Sequence, residues 1–262
     1  MGSKVGARSS VSRVHDQPAY VLHAYDWSES SLIIEIFSRD WGRMAVIAKG
    51  VKKPTSQLRN SLLPLQRIRM SWSGDGDIRT LTRCDWDAGG VMPSGDSLMA
   101  GLYLNELLLK LLAREDSHAA LFDVYDHVVR HLSETSTRAV SVRAFELLLL
   151  RELGLLPALN IESSSLLPVD SQQLYHLSAE GLLASKMGVM KGSHCLQLHD
   201  ELFGASIQLA RLWQVIASCE PELRAGLRDL LYVHSGQGVF KTRAVVDEIR
   251  QLSQEARFQA ES

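Results

Sequence analysis

Apolar positions in the first third of the chain recur in short runs, several of them alternating with polar positions in the way typical of β-strands. Turn residues separate the runs, as at Asp40-Trp41-Gly42 and Gly74-Asp75-Gly76. The pattern predicts strands at 20–25, 32–37, 43–49, 65–72 and 78–83. Five short strands favour a small closed barrel of the OB type, because closure leaves no exposed sheet edge. An SH3-like barrel is the competing interpretation.

From residue 93 the apolar positions adopt the spacing of helices. Helical segments are predicted at 98–112, 121–132, 142–153, 201–218, 221–233 and 242–252. The segment 142–153 is apolar on nearly all sides, which indicates a central, buried helix. The stretch 158–198 is rich in serine and glycine, with one strand-like piece at 173–177, so we expect a small irregular insert.

These changes of pattern predict an α+β chain with two domains. We expect a five-stranded OB-fold domain over 18–92 and a mainly α-helical domain over 93–255, which contains the insert at 158–198. A disordered leader over 1–17 and a tail over 256–262 are predicted to flank them.

The 262 residues carry a net charge of −2, but the charge is unevenly distributed. Residues 1–92 hold 13 Lys and Arg against 9 Asp and Glu, a net +4, and the remainder holds 15 against 21, a net −6. A basic first domain admits nucleic acid as a ligand. No apolar run approaches the roughly 20 residues of a membrane helix. Three widely spaced cysteines fit a reducing compartment, so we expect a cytoplasmic protein without a membrane partner.

A basic stretch between residues 39 and 69 holds eight cations against Asp40 alone, a net +7. These candidate DNA contacts are Arg39, Arg43, Lys49, Lys52, Lys53, Arg59, Arg67 and Arg69. Long cations around a loop such as 49–54 can follow a phosphate backbone without reading bases. Trp41 and Trp72 could offer stacking surfaces. The same pattern also fits solvated barrel faces with tryptophans in the core, or a surface for an acidic protein.

Catalytic signatures are weak. The sequence lacks a phosphate-binding loop of the Gly-x-x-x-x-Gly-Lys type, a dinucleotide fingerprint and a nucleophile elbow, so we expect neither an enzyme nor a cofactor. Asp123, His127 and His131 share one helix face, but a solvated face is favoured over a metal site. The cluster of His194, Cys195 and His199 is weaker still, and Cys84 and Cys219 read as small core residues.

Arg143 and a group of residues near the C-terminus are two further candidate binding sites. Arg143 lies on the predicted buried helix, where an arginine beside an apolar groove could bind an acidic segment ending in an aromatic residue. Pairing with a neighbouring Glu is the favoured alternative. Near the C-terminus, cations at a helix start oppose the helix dipole, which suggests anion binding or closure onto another part of the chain; the group comprises Arg224, Arg228, Lys241, Thr242 and Arg243.

Blocks of sequence along residues 19–250 resemble the RecO family of DNA-repair recombination mediators. The most distinctive blocks are Ala48-Lys49-Gly50-Val51-Lys52-Lys53, Tyr103-Leu104-Asn105-Glu106-Leu107, Arg143-Ala144-Phe145-Glu146 and Lys241-Thr242-Arg243. The resemblance implies an N-terminal OB-fold, a helical domain, binding of single- and double-stranded DNA, and annealing of complementary strands. It also implies work with RecR to help RecA replace the single-stranded-DNA-binding protein.

Residue roles follow from the resemblance at matching positions. Arg143 matches the contact with the acidic tail of the single-stranded-DNA-binding protein, and the cations of 39–53 match the basic barrel surface. Arg228, Lys241 and Arg243 are candidates for additional DNA or partner contact. Many relatives carry two Cys-x-x-Cys zinc pairs in the insert, whereas 157–185 has no cysteine here, so we expect no zinc and an insert held by packing. The rival hypotheses are a protein-only adaptor and a hydrolase with an unrecognised site.

Overall fold

The computed structural model describes residues 12–87, 92–204, 206–236, 240–242 and 244–245. These residues fall into two compact units. The first comprises the residues before 88 together with Ala113–Ala119, and the second comprises 92–112 and the residues from 120 on. Residues 1–11, most of the predicted helix at 242–252 and the predicted tail lie outside the described residues.

The first unit contains a closed barrel of five strands in the order β1-β2-β3-β5-β4. The strands are β1 (Arg13–Asp26), β2 (Leu32–Ser38), β3 (Gly42–Ala48), β4 (Arg67–Ser73) and β5 (Ile78–Trp86), and a short helix, α1 (Leu58–Ser61), links β3 to β4. Strands β3 and β5 pair in parallel, and the other pairs are antiparallel. This is the OB-type barrel that the sequence predicts.

β1 begins earlier than predicted, so the leader predicted over 1–17 is wrong for its last residues. Arg13 pairs with Ser73 and Val14 with Trp72, and the register then shifts before Gln17. Asp16, inside the irregular stretch, has a φ of 54°, which L-residues rarely adopt. A bulge of polar residues breaks the alternation of apolar positions, which hides this half of the strand from pattern analysis.

The barrel core is built from the inward-facing positions of all five strands. Ile34 and Ile36 on β2 and Met44 and Val46 on β3 are almost completely buried in one cluster. Trp72 on β4 belongs to the same cluster and is 1% exposed. The prediction that Trp72 could stack with a ligand is therefore wrong, because its ring fills the core.

The second unit is mainly helical, as predicted. Its helices are α2 (Asp96–Leu111), α3 (Ala119–His131), α4 (Arg138–Glu152), α5 (Gly192–Phe203) and α6 (Leu209–His234). α4 is the central helix, and its leucines at 147–150 are buried. The break predicted between residues 218 and 221 corresponds to a kink in α6, where Cys219 leaves the helical conformation just before Pro221 and two helical parts meet. The predicted start at 201 is wrong, because α5 extends to Phe203 and α6 begins at Leu209.

The insert contains a small sheet in the order β7-β6-β8. Its strands are β6 (Leu174–Ser178), β7 (Gly181–Ala184) and β8 (Met190–Lys191). The predicted end of the insert at residue 198 is wrong, because α5 begins at Gly192.

Glu162 ties the insert together through hydrogen bonds, in addition to the packing that the sequence predicts. Its carboxylate accepts hydrogen bonds from the Ser164 hydroxyl (2.6 Å), the Ser165 backbone N–H (2.6 Å) and the Ala184 N–H on β7 (3.4 Å). The bonds from Ser164 and Ser165 lower the pKa of Glu162 to about 2. The ionised carboxylate thus connects the loop at 162–165 to the sheet through hydrogen bonds.

We expect Glu162→Gln to destabilise the protein at pH 7, since an amide has one acceptor oxygen where the carboxylate has two. The folded-state pKa lies below the ordinary 4.5, so this stabilisation is full above about pH 4.5 and is lost as the pH falls towards 2. Urea unfolding midpoints should therefore differ between wild type and variant at pH 7, and the difference should shrink as the pH falls from about 4.5 towards 2. Glu180→Gln, at an exposed position of the same insert, is the control. A gap that stays constant with pH would contradict this role.

Among the residues that the structure describes, no helix is long and apolar enough to cross a membrane.

Candidate nucleic-acid interface

The loop that leaves β3 presents two of the predicted cations to solvent. Val51 is buried in the barrel core, while Lys49 and Lys53 on either side of it are exposed. Gly50 has a φ of 72°, and the Lys53 N–H donates to the Gly50 carbonyl at 3.2 Å, which closes a tight turn. The buried valine anchors the turn, so the two lysines are held outward on a defined backbone.

Lys52 attaches this loop to the turn between β1 and β2. Its backbone N–H donates to the Ser30 carbonyl (3.1 Å), and its ammonium group contacts the Ser28 carbonyl (2.9 Å) and the Asp26 carboxylate (2.6 Å). Two loops at one end of the barrel are thereby joined. Lys52 has a structural role here, and its charge is balanced by Asp26.

Two exposed aromatic rings that the sequence pattern did not identify lie at the end of β1 and in the turn that follows it. Trp27 is 62% exposed and Tyr25 is 48% exposed, and the Tyr25 ring contacts His23 edge-on at 4.4 Å. An aromatic residue inside a polar turn, Trp27-Ser28-Glu29-Ser30, was the signal available in the sequence. We call the group of Tyr25, Trp27, Lys49 and Lys53 the rim patch.

Arg59, on α1, is also exposed. Within the described part of the chain, the structure gives Lys49, Lys53 and Arg59 no carboxylate partner. These three cations are therefore available to an external anion.

The other predicted cations of the barrel are engaged with carboxylates. Arg69 makes a bidentate pair with Asp16 (2.7 and 2.6 Å), and its hydrogen bonds lower the pKa of Asp16. Arg67 contacts Asp87 at 2.9 Å, and the half-buried Arg39 contacts its neighbour Asp40 at 3.3 Å. Internal pairing lowers the net charge that these three arginines offer to DNA.

Arg43 does not face solvent as a phosphate clamp would. Its guanidinium donates to the carboxylate of Glu35 at 3.0 Å, and Arg114 pairs with the same carboxylate. Glu35 is buried, so its charge requires these partners. The structure thus gives Arg43 a structural ion pair, and its predicted contact with DNA stays a prediction.

The chain segment 113–119, which we call the strap, lies on β3. The Glu115 N–H donates to the Arg43 carbonyl at 2.7 Å, and Arg43 and Arg114 form a parallel bridge. A Cβ atom at Gly42 would lie 1.8 Å from the Asp116 carbonyl oxygen, so only glycine permits this approach. The outward-facing Phe37 and Ala45 nearby are fully buried. OB barrels commonly bind oligonucleotides on this face of β2 and β3, whereas here the open surface is the rim.

Arg143 lies between two carboxylates of its own unit. It pairs with Glu146, which is fully buried and also accepts the Tyr103 hydroxyl at 2.5 Å, and it lies 3.5 Å from Glu220. The favoured alternative, pairing with a neighbouring Glu, is what the structure contains. An acidic peptide would have to displace two carboxylates, which argues against Arg143 as its anchor.

Of the C-terminal group, Lys241 and Thr242 contact another helix of their unit, whereas Arg224 and Arg228 are exposed. The backbone N–H groups of Lys241 and Thr242 donate to the Glu106 carboxylate at 2.8 and 3.0 Å, and the Thr242 hydroxyl does so at 2.7 Å. Although burial acts to raise it, these bonds hold the pKa of Glu106 below its ordinary value. The segment thus closes onto α2, as one of the two predicted alternatives has it. Arg224 and Arg228 are exposed on α6, and Arg243 lies outside the described residues.

The histidine clusters have structural partners. His127 and His131 contact each other ring to ring at 4.4 Å, and burial lowers the pKa of His127. His194 contacts the Glu222 carboxylate at 2.9 Å, and burial raises the pKa of the Cys195 thiol to about 12. Over the described ranges, no group of three or more His, Cys, Asp or Glu side chains could hold a metal ion.

Comparison with known proteins agrees with this architecture. Residues 13–88 match the family model of the recombination protein O N terminal, and residues 92–226 match that of the recombination protein O C terminal. A "DNA repair protein RecO" of Polaromonas sp. is 46% identical over 245 residues, covering 92% of this chain and 98% of the relative. The RecO proteins of Delftia acidovorans and Acidovorax ebreus are 46% and 45% identical over 93% and 92% of this chain, and 100% and 98% of their own lengths. The chain therefore belongs to the RecO family of DNA repair proteins.

Proposed function

We propose that this chain is a non-enzymatic recombination mediator that binds DNA through the rim patch and anneals complementary strands. The observation that carries the proposal is the meeting of exposed lysines and exposed aromatic rings at one end of the barrel. Lys49 and Lys53 would neutralise phosphates, and Trp27 and Tyr25 would stack on unpaired bases. Neither contact reads a base edge, so the binding is expected to be independent of sequence.

Annealing follows from the same chemistry. Two DNA strands repel each other through their phosphates, and a surface that neutralises part of that charge lets them approach and pair. Stacking holds single strands with their bases accessible rather than collapsed. The protein then needs no catalytic group, because base pairing itself supplies the driving force.

The family resemblance supports a wider role with protein partners. In this proposal the chain acts with RecR near the nucleoid in the cytoplasm and contacts the single-stranded-DNA-binding protein, so that RecA gains access to the strand. The contact with the acidic tail stays a prediction without an assigned anchor, since Arg143 is engaged internally. The rival, a protein-only adaptor for an acidic partner, predicts no stacking of bases on the barrel.

Trp27→Ala tests the stacking half of the proposal. We expect affinity for single-stranded oligonucleotide to fall about tenfold, since loss of one base–aromatic stack costs about 1–3 kcal/mol. Affinity for blunt duplex should change little, because duplex bases are already stacked. Fluorescence anisotropy with labelled dT and duplex probes measures both. Trp86→Ala removes a similarly exposed tryptophan, 58% against 62%, and is the matched control. Equal losses for the two probes, or for the two variants, would favour the adaptor.

A further inference from the structure

A cation–aromatic pair on the barrel contacts the strap. The guanidinium carbon of Arg79, on β5, lies 5.2 Å from the centre of the Trp41 ring in the turn between β2 and β3. Trp41 is 36% exposed, and its inner edge rests against Trp72 at 6.1 Å between ring centres. The buried Trp72 ring thus packs against Trp41, and part of the Trp41 ring remains exposed to solvent.

A carboxylate of the strap neutralises this pair. Glu115 contacts the Arg79 guanidinium at 3.0 Å, and the Arg79 side chain is 12% exposed while that of Glu115 is 48% exposed. The Glu115 backbone N–H donates to the Arg43 carbonyl on β3. This bond fixes the backbone of Glu115 close enough for its carboxylate to contact Arg79. A second hydrogen bond, from Arg79 to the Met44 sulfur (3.6 Å), holds the arginine against the barrel.

Arg79 and Trp41 are the kinds of side chain that bind a nucleotide, and the Glu115 carboxylate takes the position of the nucleotide's phosphate. A guanidinium beside an aromatic ring suits a phosphate next to a stacked base. Glu115 places one anionic group where a phosphate oxygen would pair with Arg79.

We propose that Trp41 and Arg79 form a second single-stranded DNA site on the barrel, which the Glu115 carboxylate occupies in place of a phosphate. The inference rests on the proposed DNA-binding function, and it adds a built-in competitor that weakens binding at this face. DNA displaces the carboxylate side chain only, and the strap backbone stays on β3. Glu115, the carboxylate partner, is 48% exposed, and ion pairs open to solvent on one side are weak, so a single strand already held at the rim patch can replace it.

Glu115→Gln is the decisive variant, because it removes the competing charge and keeps the shape of the side chain. We expect affinity for a single-stranded 30-mer to rise about three- to tenfold. The slope of log affinity against log salt should steepen by about 0.7, the value for one added phosphate contact on a single strand. Asp85→Asn is the matched control, since it removes one carboxylate from an exposed ion pair with Arg83 on the same strand, β5.

Trp41→Leu in the Glu115→Gln background separates a built site from a general charge effect. We expect this change to return the affinity to the wild-type value, and Arg79→Gln in the same background to do so as well. Circular dichroism and thermal unfolding verify that each variant is folded. Arg79→Gln serves alone if the leucine variant is unstable.

Three outcomes would overturn the second site. The first is an unchanged affinity for Glu115→Gln. The second is an equal gain for Asp85→Asn, which would indicate net charge alone, and the third is a gain that survives loss of both Trp41 and Arg79. If wild type binds DNA and Glu115→Gln binds no better, the rim patch stands and the second site falls. If neither protein binds DNA, both proposals fall.

Discussion

Replacing Lys49, Lys53 and Arg59 together with alanine is expected to weaken single-stranded DNA binding about 10- to 100-fold near 0.15 M salt. These cations are exposed and have no carboxylate partner in the described part of the chain. Their removal should therefore cost phosphate contacts without leaving a buried charge unpaired. The slope of log affinity against log salt should become shallower by about 2, or about 0.7 for each of three lost contacts. Annealing of complementary oligonucleotides should slow in parallel.

The matched control removes three exposed cations from the second unit: Lys186, Lys191 and Arg211. It changes the net charge by the same amount, so a loss confined to the barrel variant identifies the surface. Both variants should unfold at temperatures close to wild type. Annealing assays with and without bound single-stranded-DNA-binding protein then test the mediator role. A barrel variant that binds and anneals like wild type would remove the basis of the proposed function.

Arg143→Ala is expected to destabilise the protein by about 3–5 kcal/mol, because it strips a fully buried carboxylate of its cation. Glu146 would keep the Tyr103 hydroxyl as a partner but lose the charge that balances it. Urea unfolding followed by circular dichroism measures the change. Arg130→Ala is the control, since Arg130 pairs with Asp126 on the surface of α3, where such pairs contribute less than about 1 kcal/mol.

A double variant separates the cost of an unpaired charge from the cost of lost packing. Arg143→Leu with Glu146→Leu removes both charges, and it should recover part of the stability lost in Arg143→Ala. A stability for Arg143→Ala within about 1 kcal/mol of wild type would contradict the structural role. It would also return Arg143 to consideration as the anchor for an acidic peptide.

Local patterning was a reliable guide to the barrel strands β2 to β5, which lie within three residues of their predicted bounds. β2 and β3 are short apolar runs that end at turn residues, and β4 alternates apolar with polar positions, so each strand has a local signal. The first half of β1 was missed, since Asp16 and its neighbours interrupt the alternation at a bulge. The predicted break between residues 218 and 221 coincides with the kink of α6 at Cys219, because Pro221 has no backbone N–H with which to continue the hydrogen bonding of the preceding turn.

The candidate site shows where inference from residue types ends. Eight cations between residues 39 and 69 were visible as composition, and so was the asymmetry of charge between the two parts of the chain. Which of them are available to an anion depends partly on carboxylates far away in sequence: Asp16 is 53 residues from Arg69, and Asp87 is 20 residues from Arg67. The same holds for the aromatic rings: Trp72, which the sequence offered as a stacking surface, lies in the core, and Trp27 is the exposed ring at the rim.

Sequence alone thus established a basic β-barrel, a central apolar helix and the family to which the chain belongs, since each depends on the order and type of residues. The fold assigned Arg43 and Arg143 to internal ion pairs, left Lys49 and Lys53 exposed, and brought a strap carboxylate onto Arg79. The reason is physical: a charge belongs to its residue, but its availability depends on partners that long-range folding brings within a few ångströms.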